Sequence, residues 1–111
     1  MPMFAAAGIT AIALYALPVQ AARRIIVIEN MRFTPASATV ERGDEVVWIN
    51  RDLVAHTATS AGAFDSHAIA PGQSWTYVAR VPGRYAYGCS LHPTMKATLI
   101  VEKSRGRPAS Q

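Results

Sequence analysis

Between Arg24 and Glu102 the apolar residues fall in short runs broken by polar or small ones, and nowhere do they recur at the spacing of an amphipathic helix. The pattern predicts strands at Arg24–Glu29, Ala38–Glu41, Glu45–Ile49, Thr57–Ser60, Ser74–Val78, Arg84–Gly88 and Thr98–Glu102. Turn chemistry separates them: Arg42-Gly43-Asp44, then the Pro71-Gly72 and Pro82-Gly83 pairs, whose glycines accept the positive φ of a type II turn. Trp75 and Tyr77, like Tyr85 and Tyr87, sit two residues apart, so each pair shares one strand face. Short strands at this spacing predict an all-β Greek-key antiparallel β-sandwich of about seven to eight strands.

The ends of the chain read differently. From Phe4 to Leu17 there is no charge, Pro18 breaks the apolar run, and Val19-Gln20-Ala21 supplies small residues at the −3 and −1 positions of a processing site. Residues 1–21 are therefore expected to be a secretory signal peptide cut after Ala21, and the protein to be periplasmic or otherwise secreted. Only the amino group charges the first residues, so an uncleaved membrane anchor is the alternative. The folded domain is expected over 22–103. Residues 104–111, polar and basic, are expected to be a disordered tail.

Composition narrows the class. With 111 residues the chain holds one domain, and at 50% hydrophobic and 16% charged it has the apolar material for a core. The net charge of +4 is a property of the ends, because between Ile25 and Glu102 six basic side chains stand against seven acidic ones, a balance of −1. Nucleic acid is not an expected partner. The single cysteine, Cys89, excludes an internal disulfide and any four-cysteine zinc site.

Chemistry gathers around that cysteine. Cys89-Ser90-Leu91-His92-Pro93-Thr94-Met95 places a thiol, an imidazole and a thioether three residues apart each time, a coincidence of about one in a thousand at this composition. The three donors are expected on a tight loop between two strands. His56 follows the connection Asn50 to Ala55, and in a sandwich such connections collect at one end. Two imidazoles and a thiolate with a weak thioether make up the donor set of blue copper, whereas zinc seldom takes a thioether. His67 has no motif partner and reads as a solvated or hydrogen-bonded histidine. Asn50 and Thr57 flank the His56 connection, where they can supply hydrogen bonds behind the ligands.

These residues resemble the cupredoxins of the plastocyanin and amicyanin group. The likeness runs through Phe33-Thr34-Pro35, Glu45-Val46-Val47-Trp48-Ile49-Asn50, His56-Thr57, Phe64-Asp65-Ser66, Ala70-Pro71-Gly72, Pro82-Gly83-Arg84-Tyr85-Ala86-Tyr87 and a Cys-x2-His-x2-Met segment of the short, amicyanin-like spacing. The resemblance implies one copper ion in a type 1 site, with His56, Cys89 and His92 equatorial and Met95 axial. It also implies an apolar collar near Pro93 where redox partners dock. Ala97 stands where the family commonly has Gly, a departure that touches the local backbone and not the donors.

The expected function is extracytoplasmic transfer of single electrons between partners such as a cytochrome and a dehydrogenase, by a monomer that is not an enzyme. Two rival readings stay open. One is a copper carrier or storage module handing Cu(I) to another protein. The other is a metal-free adhesion sandwich.

Overall fold

The computed structural model describes residues 21–104, together with residues 3, 8 and 10–13. The rest of the expected signal peptide, and the expected tail beyond Ser104, lie outside the described residues. No helix among the described residues is long and apolar enough to cross a membrane.

Among the described residues nine strands form: β1 (Arg23–Glu29), β2 (Arg32–Thr34), β3 (Ser37–Glu41), β4 (Glu45–Asn50), β5 (Thr59–Ser60), β6 (Phe64–Asp65), β7 (Ser74–Val78), β8 (Gly83–Cys89) and β9 (His92–Glu102). They make two sheets, one in the order β2-β1-β4-β7 and the other in the order β3-β9-β8-β5-β6. The all-β sandwich is as expected. Its sheets are mixed, however, because β1 runs parallel to β4 and β3 parallel to β9. The chain leaves the first sheet after β2 and enters the second at β3, so β1 and β4 meet through a long crossover, the kind of connection that parallel strands require.

Alternation builds the core. Along β9, Met95, Ala97, Leu99 and Val101 are buried while Lys96 and Glu102 face solvent, the period of two that a strand imposes. In β1, Ile26 and Ile28 point inward, and the β-branched run from Ile25 to Ile28 favours extended backbone. β4 lies between β1 and β7, and its Val46, Val47 and Trp48 are all buried. Trp48 ties the layers together: its ring lies 5.5 Å from that of Tyr87 on β8, edge to face, and its indole N–H donates to the Tyr87 hydroxyl at 3.3 Å.

Several boundaries differ from the sequence expectation. The strand expected at Thr57–Ser60 shortens to Thr59–Ser60, because Thr57 spends its N–H and hydroxyl on Cys89 and Ser90 rather than on a ladder. The last strand begins at His92 and not at Thr98, while β2 and β6 were not expected at all.

Candidate metal centre

Cys89 closes β8, Ser90-Leu91 turns, and His92 opens β9, so the tight connection between two strands expected from the sequence is a two-residue hairpin turn, with Met95 already inside β9. The pairing slips by a bulge between Gly88 and Cys89, a device that re-aims the following side chain. Cys89 keeps the alternation of β8 and joins Tyr87 in the buried core. Gly88 is required for the close approach of the two strands, since a Cβ there would lie 2.6 Å from the Met95 carbonyl oxygen.

His56 comes from the other side of the same end. It is fully buried and pairs with Ile69 in a single bridge, its N–H donating to the Ile69 carbonyl at 3.2 Å and its own carbonyl accepting at 2.7 Å. Asn50, also buried, pins the intervening loop: its amide donates to the carbonyls of Val54 and Ile69, each at 2.9 Å, and accepts the Asp52 N–H at 2.9 Å. The expected supporting role of Asn50 is thus visible as three bonds.

These elements bring three donor atoms to one point. His56 Nδ1 lies 3.1 Å from His92 Nδ1, and Cys89 Sγ lies 3.7 Å and 3.5 Å from the two nitrogens. A metal held at about 2.0–2.3 Å by each donor in a trigonal plane spans edges of roughly 3.5 Å, so the triangle fits an ion. It is the group of three such residues found among the described residues. Met95 is buried in the same core as Cys89, and both line one shallow cleft with Pro93. Imidazole, thiolate and thioether together suit copper, and His92 alone of the four is half-buried and reaches toward solvent.

The surroundings prepare the donors. The Asp52 carboxylate accepts from His56 Nε2 at 2.8 Å, which fixes the proton on Nε2 and turns the bare Nδ1 lone pair to the centre. The same carboxylate accepts the N–H groups of Asn30 at 2.7 Å and Met31 at 2.9 Å, in a turn where both residues have positive φ. Burial pushes the Asp52 carboxyl up, but the bonds from Met31, His56 and Asn30 and the attraction of His56 outweigh it and hold the group below the usual carboxylate range. Thr57 N–H donates to Cys89 Sγ at 3.2 Å, and the Thr57 hydroxyl accepts the Ser90 N–H at 2.8 Å, tying the turn to the His56 segment.

Asp52 is the residue that sequence reasoning missed. Its one signal is position, four residues before His56, and no spacing rule attaches a loop carboxylate to a histidine. His67 stands apart from the centre, exposed and beside Asp65, with Nδ1 at 3.8 Å from that carboxylate and its N–H donating to it at 2.8 Å.

A family model for the cupredoxin-like domain matches residues 3–101. The chain belongs to that family. This cupredoxin, of the plastocyanin and amicyanin group, is 27% identical over 84 residues to an amicyanin of Paracoccus versutus, an alignment covering 70% of this chain and 64% of the relative. It is 33% identical over 72 residues to a chloroplastic plastocyanin of Tetradesmus obliquus, covering 54% and 50%. It thus spans a little under two-thirds of the length of the Paracoccus amicyanin. Among solved structures, the Cu(I) form of an amicyanin variant superposes with a TM-score of 0.70 at 24% identity, covering 77% of this chain and 87% of that one, which shows the shared fold.

Proposed function

We propose that this cupredoxin carries single electrons outside the cytoplasm, and that His56 Nδ1, Cys89 Sγ, His92 Nδ1 and the Met95 thioether are the groups that would hold its one copper ion. The observation that carries this reading is the convergence of two imidazole nitrogens and one thiol sulfur within 3.7 Å of each other on a rigid frame. Copper bound there supplies a one-electron couple between Cu(II) and Cu(I).

The residues do the rest. Asn50, Asp52 and Thr57 hold the donors from behind, so the frame has little freedom to rearrange when the charge changes. All the strong donors are protein groups, which leaves no position for substrate and supports a carrier over an enzyme. The half-buried His92 ring connects the centre to the surface, where Leu91 and Pro93 beside it and Leu53 on the His56 loop are exposed. A small apolar surface of this kind suits brief encounters with a cytochrome or a dehydrogenase by a monomer. The leader-like stretch at residues 1–21 supports a periplasmic or secreted location.

The test is spectroscopic. Adding Cu(II) to the copper-free protein should give intense absorption in the red, and Cys89→Ser should bind without that colour. A wild-type protein that binds copper without colour would defeat the carrier reading in favour of copper storage, and no binding would favour an adhesion domain.

A further inference from the structure

We propose that cutting the chain between Ala21 and Ala22 creates an ion pair that the fold is already shaped to receive, between the new amino terminus and the carboxylate of Asp44. The inference rests on the leader reading of residues 1–21 and is independent of the metal. Ala22 N lies 2.9 Å from Asp44 Oδ1, and the Ala22 carbonyl accepts the Glu45 N–H at 2.9 Å. Ala22 is therefore docked on both sides, one residue before β1 begins its parallel register with β4 at Arg23 and Glu45. Asp44 is 6% exposed, and its other oxygen accepts the Glu41 N–H at 2.8 Å across the turn.

Hydrolysis of the Ala21–Ala22 amide by a processing protease adds one water across the bond. It leaves a carboxylate on Ala21 and an amine on Ala22 that takes up a proton near neutral pH. A neutral amide donor thus becomes an ammonium at the same place, and the bond to Asp44 becomes charge-assisted. A carboxylate this buried gains from a formal positive charge at hydrogen-bond distance. The residue at which Val19-Gln20-Ala21 directs the cut is the one whose nitrogen meets the acid. A cut two residues earlier would leave the amine outside the contact and keep a plain amide against Asp44.

The experiment uses the full 111-residue precursor expressed in a host with a secretory pathway, beside a second precursor with Gly-Ser inserted between Ala21 and Ala22. Intact mass of the secreted proteins identifies the first residue, and a mass other than that of a chain starting at Ala22 overturns the inference at the leader step. Given the Ala22 start, the Glu45 amide should exchange its hydrogen about tenfold more slowly in the natural chain than in the Gly-Ser chain, because the ion pair holds the Ala22 carbonyl on it. Equal exchange rates would overturn the ion pair while leaving the leader intact. Asp44→Asn introduced into both chains should erase their difference in thermal midpoint, and a difference that survives would also overturn it. The exchange measurement needs no substitution at Asp44, so it decides even if that variant does not fold.

Discussion

Asp52 concentrates three functions in one side chain: it orients His56, it satisfies two N–H groups of a strained turn, and it sets a negative charge behind the His56 ring. Asp52→Ala should leave the Asn30 and Met31 N–H groups without their acceptor and cost about 1–2 kcal/mol in the copper-free protein at neutral pH, at the low end for bonds to a charged group because the carboxylate is partly exposed. Because its folded pKa is depressed, the stability Asp52 contributes is present above the ordinary carboxylate value and is lost as pH falls through the lowered one. The difference between wild type and Asp52→Ala in denaturant titrations should therefore shrink on acidification, and a gap that is constant from pH 7 to pH 2 would refute it. With His56 in the proposed ligand role, copper affinity should fall about tenfold, since that histidine loses the partner that fixes its tautomer. Met95→Leu reads a different residue: the colour should stay, and the reduction potential should rise as a weak donor to Cu(II) is lost.

The β8–β9 hairpin shows why elements and not residues decide the geometry of the centre. Cys89 and His92 are neighbours across a two-residue turn, and Gly88 lets the backbone of β8 approach Met95. Gly88→Ala should push the strands apart or distort the bulge, costing about 1–3 kcal/mol and shifting the visible spectrum along with the thermal midpoint. A variant with unchanged spectrum and midpoint would mean that the approach is not needed. The spacing Cys89, His92, Met95 was legible because donor chemistry is carried by residue type, and the longer strands were legible from their alternation. What was not legible has physical causes. β2 and β6 span three and two residues, too short to show a period. The parallel pairs depend on which sheet a strand joins, which residue patterns do not encode. Residues 92–97 read as loop because Pro93 and the polar Thr94 and Lys96 interrupt the apolar pattern, yet all six extend β9.

Across the molecule, the two sheets meet at Trp48 and Tyr87, and this contact makes the stability of the whole sandwich sensitive to base. Tyr87 is buried, which pushes its hydroxyl up to about 12 against the smaller opposing effect of the Trp48 N–H. In the unfolded chain the same hydroxyl ionises near the ordinary value of 10.0. Between those values the folded protein keeps a proton that the unfolded chain has lost, so the Tyr87 contribution is fully present below about pH 10 and is lost as pH rises toward 12. The size of that loss is on the order of 2–3 kcal/mol. Tyr77 adds to it in the same direction, raised by burial and by the neighbouring Tyr85, with Arg80 opposing. Tyr87→Phe should be weaker than wild type at neutral pH by about 1 kcal/mol, because the Trp48 indole N–H loses its acceptor. It should also lose less stability between pH 9 and pH 11, so that the two unfolding free energies converge as base is added. Denaturant titrations of the copper-free proteins at those pH values measure the convergence, and parallel declines would show that Tyr87 does not carry the alkaline sensitivity of the fold.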